Sequence, residues 1–533
     1  MNSLKICLLH TPKPYVVKSP PQGLMSIAAY LKSKNIKIEI LDANIHYIDV
    51  DAIKLDSFEN FKNNKRGHIF KLFNSHFQEF PQEELKEYFS KNKFDVIISD
   101  CHYTGTDALA LRTFELIKEI LPNCIIISGG IHSSLYYEQL LNSKLIDIIV
   151  KGEGEEVIYQ IIQNLENGES LNNIEGINYL EGEHIKINSG MGFIKDLNSL
   201  APVFEVYDDF EMELYRDYVK AILGPFWYDE DPTGLLVLSR GCIGRCSFCN
   251  SRIVDQGKYR SLNEENTLRI LNSVYELYSP KNFKICDAMF GANIKQFKTV
   301  CDFMREVEIP WSFGTRIDAL KTRELDLLKG SYCKEIFFGL ESVHLDTLKF
   351  NQKISHKKTD EYLLNGVKTL KDVMGLGISC FVALIFGLPT EKKTVYEDTI
   401  KFFKDNDLVS EKLELIHSVP VAFPGTLLWD LTPQDQRCYD FEKFFLMLTP
   451  DDVKESGICY VDPNFTFDEL QYYAENISKD LFEKSDLTDK QLLLKDLRKM
   501  IDEGYDAIES EMDKEWFKLS MEFTLESYLS SKK

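Results

Sequence analysis

Three cysteines stand close together in the middle of the chain, in the sequence Ser239-Arg240-Gly241-Cys242-Ile243-Gly244-Arg245-Cys246-Ser247-Phe248-Cys249-Asn250. Cys242, Cys246 and Cys249 are spaced four and then three positions apart. They follow the apolar run Leu235-Leu236-Val237-Leu238, which predicts a buried strand. Thiolates held this closely on one loop can all reach the same iron–sulfur cluster. If that cluster has four irons, three local ligands leave one iron without a protein ligand.

These residues resemble the signature of the radical SAM superfamily, Cys-x3-Cys-x2-Cys with an aromatic residue, here Phe248, before the last cysteine. The resemblance implies that Cys242, Cys246 and Cys249 bind a 4Fe-4S cluster and are essential for catalysis. The open iron would chelate S-adenosylmethionine (SAM), and its reductive cleavage would give a 5′-deoxyadenosyl radical. The alternative is a structural zinc loop. Zinc usually has a fourth nearby ligand and paired Cys-x2-Cys knuckles, and no further cysteine or histidine lies close by in the sequence.

From residue 233 onward, six predicted strands alternate with helices. The resemblance to the radical SAM core covers residues 233 to about 430. It implies an open, partial (β/α)6 barrel whose active site lies at the carboxyl ends of the strands. The first strand leads into the cysteine loop, and the others are predicted at Phe283 to Cys286, Trp311 to Thr315, Glu335 to Phe338, Ile378 to Phe386 and Leu413 to Val419.

Polar residues follow several of these strands. By the resemblance, Glu341, next to Ser342 after the fourth strand, accepts hydrogen bonds from the ribose hydroxyls of SAM, a task for which a carboxylate has two acceptors. Phe248 and the backbone near Gly387 would flank the adenine. Asp287 and Arg316 are expected at the same mouth, where they would hold methionine or substrate, or alternatively form an internal salt bridge. Lys258-Tyr259-Arg260 also fits the family pattern, although a solvated or packing role is equally open.

The first 190 residues predict a doubly wound parallel sheet, with strands near residues 5–9, 36–41, 95–99, 124–128 and 146–150. Pro-Pro-x-Gly-Leu before the first helix, Gly-Gly-x-His and Gly-Glu-Gly-Glu resemble the Rossmann-like cobalamin-binding domain of one large class of radical SAM enzymes. The resemblance implies that the corrin and its nucleotide tail face Gln22, the loop from Asp100 to Gly105, and Ser128, Gly129, Gly130 and His132. The alternative is a Rossmann-like domain that binds nothing and only packs on the catalytic domain.

Residues Asp100 to Gly105 match Asp-x-His-x-x-Gly, the pattern by which some cobalamin proteins supply a histidine to cobalt. In those proteins the pattern follows the first strand, whereas here it follows the third. We therefore interpret the match to His102 as accidental and expect that cobalt has no protein ligand from below.

The remaining segments complete the predicted domain organisation. Residues 191–232 hold prolines, acidic pairs and aromatics without clear periodicity, which predicts a linker. The last hundred residues contain two capping-box patterns, Thr466-x-x-Glu469 and Thr488-x-x-Gln491, which predict helices. We expect a cobalamin-binding-like domain at 1–190, a linker at 191–232, a radical SAM core at 233–430 and a helical domain at 431–533.

Composition limits the partners of the chain. Its 533 residues are 44% hydrophobic and 27% charged, as in ordinary globular proteins. The formal net charge of -22 argues against a broad surface for nucleic acid or anionic membrane, because both need clustered Lys and Arg. The twelve cysteines are scattered apart from the central three, which favours a reducing compartment. The apolar start of the chain is too short for a signal sequence, so we expect a cytoplasmic protein.

The leading functional hypothesis is cobalamin-dependent radical methyl transfer to an unactivated carbon of a small metabolite or peptide. A reductant such as flavodoxin or ferredoxin would supply electrons. Alternatives are ring contraction, cyclisation or oxidative rearrangement without methylation, and a cobalamin or light sensor without catalysis. Methylthiolation of RNA is disfavoured, because the N-terminal half has only Cys7, Cys101 and Cys124 and the chain is acidic.

Overall fold

Two β-sheets form the framework of the protein in its computed structural model. The structure describes residues 3–13, 18–48, 50, 80–101, 107–223, 230–355, 359–434, 437 and 459–482. The predicted sites at His102 and Gly105 and the second capping box at Thr488 lie outside these residues.

The first sheet has the strand order β2-β1-β3-β4-β5-β6-β7. Its first five strands run parallel, and β6 and β7 add an antiparallel hairpin that the sequence analysis did not predict. The strands are β1 Ile6–His10, β2 Ile38–Asp42, β3 Val96–Asp100, β4 Ile125–Gly129, β5 Ile148–Val150, β6 Ile177–Glu181 and β7 His184–Ile187. The described helices of this unit are α1 Gln22–Ser33, α2 Gln82–Lys91, α3 Asp107–Ile120, α4 Ile131–Leu135, α5 Tyr137–Asn142 and α6 Glu155–Asn167.

Both faces of the first sheet are buried. Along β3, Ile97 packs into one hydrophobic cluster, whereas Val96 and Ile98 pack into the cluster on the opposite face. Neighbouring side chains of a strand point to opposite faces, so a strand covered on both sides is apolar throughout. This arrangement explains the unbroken apolar runs of the sequence and leaves the carboxyl ends of the strands as the place for polar residues.

The segment between the sheets is more regular than the sequence analysis predicted. Residues 191–232 were interpreted as a linker without periodicity, but they contain α7, Met212–Leu223. Tyr215, Tyr218 and Val219 are fully buried at the spacing of one helix face. Tyr215 also donates a hydrogen bond of 2.8 Å to Asp42 at the end of β2. This helix was not predicted, because its core face consists largely of aromatic residues. The limits of the linker, 191–232, stay a prediction.

The second sheet contains six parallel strands in the order β8-β11-β12-β13-β14-β15, so it is open between its two edge strands. The strands are β8 Leu235–Leu236, β11 Phe283–Ile285, β12 Trp311–Arg316, β13 Cys333–Glu341, β14 Ser379–Ile385 and β15 Leu413–Ser418, and a separate ribbon pairs β9 Ser239–Arg240 with β10 Arg260–Ser261. The helices are α8 Ser251–Asp255, α9 Glu264–Tyr278, α10 Ile294–Val307, α11 Thr322–Leu328, α12 Leu345–Phe350, α13 Thr359–Gly375, α14 Val395–Asp405 and α15 Leu427–Leu431. The predicted α/β fold class with six parallel strands is confirmed.

Helix α16, Phe467–Phe482, follows the second sheet and packs on α14 and β15. The predicted capping box at its start is present, because the Thr466 backbone N–H donates to Glu469 Oε2 and the Glu469 N–H donates to Thr466 Oγ1. Leu470 and Ile477 bury its inner face in the core of the second sheet. Within the described ranges, no helix is both long and apolar enough to span a lipid bilayer.

Candidate functional site

The cysteine loop is an excursion of residues 241–259 closed by the β9–β10 ribbon, in which Arg240 pairs with Arg260. Gly241 has a φ of +87°, and a Cβ on it would lie 2.0 Å from the carbonyl oxygen of Lys258. Only glycine fits such a close approach. We call the ribbon and this contact the neck of the cysteine loop, because they bring its two ends together.

Asp255 links two parts of the cysteine loop through hydrogen bonds to backbone N–H groups. Its Oδ2 accepts a 3.1 Å hydrogen bond from the Cys242 backbone N–H, and its Oδ1 accepts a 2.7 Å hydrogen bond from the Gly257 N–H. Burial raises the pKa of Asp255 despite these bonds. The first ligand residue is therefore tied to the far side of the loop.

Gly244 lies close to two of the sulfur atoms of the loop. A Cβ on Gly244 would lie 3.2 Å from Cys242 Sγ, 3.7 Å from Cys246 Sγ and 3.2 Å from Arg316 Nη1, so a side chain here would crowd these atoms. Cys249 is exposed on the same loop. In the described part of the chain, no three His, Cys, Asp or Glu side chains are gathered closely enough to hold a single metal ion.

A cavity of about 340 Å³ opens against the loop and is lined by Arg245, Cys246, Ser247, Cys249, Arg252, Gln352, Gly425, Thr426 and Leu427. Thiolates are the donors that hold iron–sulfur clusters. The cavity, which Cys246 and Cys249 line, accommodates a group larger than one ion. The three cysteines therefore fit an iron–sulfur cluster better than a zinc ion with four protein ligands.

Two largely buried cations, Arg316 and Lys353, lie near Cys246. Arg316 places Nη1 3.7 Å from Cys246 Sγ, donates a 2.7 Å hydrogen bond to the Lys353 carbonyl and pairs with Asp318 at 2.9 Å. Burial raises the pKa of the Cys246 thiol, while Lys353 and Arg316 act in the opposite direction. These cations favour the thiolate that a metal needs.

Glu341 lies at the end of β13 with a φ of +76°. Its Oε1 accepts a 2.9 Å hydrogen bond from Lys353 Nζ, and the two side chains are only 11% and 4% exposed. Burial opposes the charge on Lys353, but Glu341 outweighs it and raises the pKa of that ammonium. Glu341 is therefore held in place by a buried ion pair.

Glu391 joins the ends of two neighbouring strands. Ser342, after β13, donates a 2.5 Å hydrogen bond to its Oε1, and the Gly387 N–H, after β14, donates a 2.7 Å bond to its Oε2. Gly387 has a φ of +91°, and a Cβ on it would lie 2.5 Å from Leu470 of α16. The structure thus brings Ser342 and Gly387 together through a residue that the sequence analysis missed.

Asp287 and Arg316 do not contact each other, although both are described. Asp287 accepts hydrogen bonds from the Leu238 N–H at 2.8 Å and from Ser239 Oγ at 2.5 Å. Burial raises its pKa to about 7. The alternative of a salt bridge between Asp287 and Arg316 was therefore wrong, because each carries other partners. Asp287 instead stabilises the approach to the cysteine loop.

Phe248 is half-buried and packs against an apolar cluster formed by Ala422, Leu428, Trp429 and Tyr460. This cluster lies directly beside the cysteine loop, since the Leu427 N–H donates a 2.9 Å hydrogen bond to the Ser247 carbonyl. Phe248 thus has one side in an apolar environment at the rim of the site.

The second group of predicted residues lies at the carboxyl edge of the first sheet. Ser128 is the last residue but one of β4, and its hydroxyl shares a 2.9 Å hydrogen bond with that of Ser133. Gly130, with a φ of +106°, starts the turn into α4. His132 is 1% exposed, and burial lowers its pKa to about 3, so the imidazole is neutral.

Two polar atoms at this edge suit a bound polar ligand. Gln22 Oε1 and Ser99 Oγ are buried without a hydrogen-bond partner among the described residues. Buried oxygen atoms of this kind are normally satisfied. Together with the Gly129–Gly130 turn, they fit the polar rim of a large ligand such as cobalamin, which the fold places at the strand ends.

The two sites are connected across the boundary between the sheets. The rings of His132 and Tyr136 are tilted by 32° with centroids 4.7 Å apart, and Tyr136 meets Trp429 edge-on at 6.4 Å. Trp429 belongs to the apolar cluster against which Phe248 packs. Aromatic contacts therefore run from the Gly-Gly-x-His loop to the apolar cluster beside the cysteine loop.

Local patterns explain why some of these residues were missed. Glu391 stands two residues after Pro389 and four after Gly387, near which the sequence analysis placed the adenine, so an acid shortly after a strand-end glycine was a usable signal. Lys353 carries no such signal, because it reaches Glu341 only after the chain has turned through α12.

Comparison with known proteins agrees with this geometry. The family model for the B12 binding domain matches residues 66–162, and that for the radical SAM superfamily matches residues 236–403. An uncharacterised methyltransferase of Pyrococcus horikoshii is 25% identical over 324 residues, which are 60% of this chain and 66% of that protein. The anaerobic magnesium-protoporphyrin IX monomethyl ester cyclase of Cereibacter sphaeroides is 24% identical over 381 residues, 68% of this chain and 57% of that protein. The chain thus spans less than two thirds of these relatives.

A solved structure shares the whole fold. The radical S-adenosylmethionine methyltransferase TsrM of Kitasatospora setae, with cobalamin and a [4Fe-4S] cluster bound, superposes with a TM-score of 0.65 at 14% identity and full coverage of both chains. This likeness extends across both sheets. The predicted family and the predicted cofactor set, a 4Fe-4S cluster, SAM and cobalamin, are confirmed. The chain thus carries a B12-binding domain, matched over residues 66–162, ahead of a radical SAM domain, matched over residues 236–403.

Proposed function

We propose that the protein is a cobalamin-dependent radical SAM methyltransferase that acts on an unactivated carbon of a small metabolite or peptide. The observation that supports this most is the aromatic row His132–Tyr136–Trp429 between the two ligand edges. Two cofactors that must act on one substrate need sites that face each other. The relatives and structures named methyltransferase add support at the level of the family.

When bound, the cluster with SAM would supply a radical that removes hydrogen, and cobalamin would supply the methyl group. The residues of the chain hold and shield these groups. Cys242, Cys246 and Cys249 would bind the cluster, with Arg316 and Lys353 stabilising the thiolate charge. The apolar packing around Phe248 and Trp429 would exclude water from reactive intermediates.

SAM would bind along the carboxyl ends of β11 to β14. The residues proposed for it are Phe248, Asp287, Arg316, Glu341, Ser342 and Gly387. Among the described residues, Lys353 donates its hydrogen bond to Oε1 of Glu341, which leaves Oε2 available for a ribose hydroxyl. Glu391 would act as a positioning residue, because it fixes Ser342 and Gly387 relative to each other.

Cobalamin would bind at the carboxyl ends of β1, β3 and β4. Gln22, Ser128, Gly129, Gly130 and His132 are proposed to face it. The neutral His132 suits contact with an uncharged part of the corrin. His102 stays a prediction, as do the domain limits 1–190, 191–232, 233–430 and 431–533. A small external electron carrier such as flavodoxin or ferredoxin is proposed as the reductant.

Anaerobic reconstitution tests the proposal. The purified chain is loaded with iron, sulfide and cobalamin and supplied with SAM and a reductant. We expect about four irons per chain, corrin absorbance that stays with the protein through gel filtration, and formation of 5′-deoxyadenosine. SAM labelled in its methyl group should also transfer the label to the corrin. Release of 5′-deoxyadenosine by a chain that never retains corrin would contradict cobalamin-dependent methyl transfer.

A second candidate is radical cyclisation or oxidative rearrangement without methylation. The match to the anaerobic cyclase over 68% of this chain favours it. Product mass distinguishes the two, since methylation adds one CH₂ unit, whereas cyclisation leaves the mass unchanged or removes hydrogen. Label transfer from SAM to the corrin would favour methylation, and its absence with intact corrin binding would favour the second candidate.

A further inference from the structure

Four charged side chains meet where the two sheets join. Arg240 contacts Glu155 at 2.7 Å and Glu153 at 3.3 Å, and Arg260 contacts Glu153 Oε2 at 2.7 Å. A second nitrogen of Arg260 donates to Glu153 Oε1 at 3.1 Å. We call these four residues the Arg–Glu clamp. Its two cations and two carboxylates balance in charge.

The clamp has one half in each unit. Arg240 and Arg260 are paired across the neck of the cysteine loop, with Cys242 two residues beyond Arg240. Glu153 lies between β5 and α6 in the first unit, and Glu155 is the first residue of α6. The guanidinium groups thus extend from the base of the cluster-binding loop into the N-terminal unit.

Further polar contacts hold the clamp in one arrangement. Ser26 of α1 donates a 2.6 Å hydrogen bond to Glu155 and accepts one of 2.9 Å from Arg240. The Ile194 N–H donates a 2.6 Å bond to Glu153 Oε2, and the Arg260 guanidinium lies 3.9 Å from the centre of the Phe193 ring. The chain segment that leaves the first unit is therefore tied into the same network.

The backbone of residues 192–194 packs closely against that of residues 152–153. A Cβ on Gly192 would lie 2.1 Å from the Glu153 carbonyl, and one on Gly152 would lie 2.4 Å from the Gly192 carbonyl. Two glycines that touch backbone to backbone fix the register of residues 192–194 against Glu153. The orientation of Glu153 toward Arg260 follows from this register.

The charges of the clamp depend on one another. The side chains of Glu153, Glu155 and Arg260 are 7%, 4% and 10% exposed, and that of Arg240 is 24% exposed. Burial raises the pKa of Glu155, but Arg240 and Ser26 outweigh it, so the net pKa is lowered and the carboxylate is ionised. A buried pair that loses one member leaves an uncompensated charge, which is strongly unfavourable.

We propose that the Arg–Glu clamp positions the neck of the cysteine loop on the N-terminal unit and thereby sets the distance between the cluster site and the corrin site. The first part concerns only the described contacts, while the distance to a corrin rests on the proposed function. Arg240, Arg260, Glu153 and Glu155 are positioning residues, since none of them is assigned to either cofactor. Together with the Tyr136–Trp429 contact, the clamp joins the units at two separate places.

The test compares Arg240→Gln and Glu155→Gln with the conservative Arg240→Lys and the double variant Arg240→Gln/Glu155→Gln. Arg216→Gln is the matched control, because it breaks a pair with the fully buried Asp231 outside the clamp. The double variant leaves no unpaired charge, so it folds even where a single variant does not. All chains are measured without cobalamin by hydrogen exchange and, after loading with cluster and cobalamin, by electron paramagnetic resonance of Co(II) and the reduced cluster.

We expect exchange in residues 192–195 and 238–262 to rise about tenfold or more in the Gln variants, with partial rescue by Arg240→Lys and no rise in Arg216→Gln. The magnetic coupling between Co(II) and the cluster should weaken or broaden in the Gln variants while both cofactors stay bound. Unchanged exchange and coupling would overturn the proposal, as would lower stability with unchanged coupling, since this is what a merely structural role predicts. If the wild-type chain binds no cobalamin, the proposed function fails, and the exchange data alone decide whether the clamp holds the neck.

Discussion

The two loops that would hold cofactors differ in charge. Beside the cysteine loop, Arg316 lies 3.7 Å from Cys246 Sγ, and a buried Lys353 adds a second cation. In the Gly-Gly-x-His loop, burial lowers the pKa of His132 to about 3 and keeps the ring neutral. Thiolates that bind iron are stabilised by nearby positive charge, whereas the edge of a corrin can be met by uncharged groups. The difference indicates which kind of cofactor each loop suits.

The largest effect is expected from removing a thiolate. Cys246→Ala should reduce the iron content of the reconstituted chain and abolish formation of 5′-deoxyadenosine, because two cysteines cannot hold the cluster. Cys286→Ala, at an exposed cysteine outside the loop, is the control and should retain both. Iron analysis and chromatography of the reaction mixture measure the outcome. An active Cys246→Ala chain would disprove the assignment of the loop.

Glu391 is a buried carboxylate that is held by hydrogen bonds from Ser342 and Gly387, whereas Glu341 is held by an ion pair with Lys353. Burial raises the pKa of Glu391 to about 7, and Asp462 adds to the effect, while hydrogen bonds from Ser342 and Gly387 act against it. The protonated form is favoured in the folded state. The stability that it contributes is therefore fully present below the ordinary pKa near 4.5 and is lost as the pH rises through about 7.

Glu391→Gln should flatten this dependence. The free energy of unfolding of the natural chain should fall by about 3 kcal/mol at most between pH 4.5 and pH 8 through this group. The variant should lose that part of the slope, whereas Glu276→Gln, at an exposed position, should keep it. Denaturant titrations at several pH values measure the slope, and equal slopes in all three chains would refute the assignment.

Arg316 tests the positive charge at the cysteine loop. Arg316→Ala should weaken retention of iron against a chelator by about tenfold, as expected for the loss of one charged contact. Arg316→Lys keeps a cation near Cys246 and should lose less. Iron loss is followed by absorbance of the reconstituted protein. Equal retention by all three chains would mean that the charge does not stabilise the thiolates.

Substitution of His132 should give the smallest effect. It tests the uncharged Gly-Gly-x-His loop, whereas Arg316 tests the positively charged surroundings of the cysteine loop. His132→Gln should weaken cobalamin binding by about fivefold, because it removes the ring that contacts Tyr136, without changing iron content. His184→Gln, on the exposed strand β7, is the control. Equilibrium titration with cobalamin gives the affinities. A change in iron content with unchanged cobalamin affinity would reverse the assignment of the two loops.

The strands of the first sheet were predictable because that sheet buries two faces. Val96 and Ile98 pack on one side and Ile97 on the other, so β3 appears in the sequence as an unbroken apolar run. In the second sheet, Trp311 and Phe313 of β12 are buried on one face, since side chains two residues apart point to the same side. The helix α7 escaped prediction because its buried face consists largely of tyrosines, whose hydroxyls make them ambiguous in a sequence.

The cysteine loop could be found from the sequence because its ligands lie within eight residues, and such short spacings need no knowledge of the rest of the fold. The residues that surround the two sites could not be found in this way. Lys353 beside Glu341, Glu391 between two strand ends, and the Arg–Glu clamp join residues far apart in the chain or separated by whole elements. Their contacts arise only when helices and strands pack, and no local spacing records that packing. The sequence by itself therefore determined which residues can bind the cluster. The charges around these residues, and their distance from the second site, depend on how the two sheets pack together.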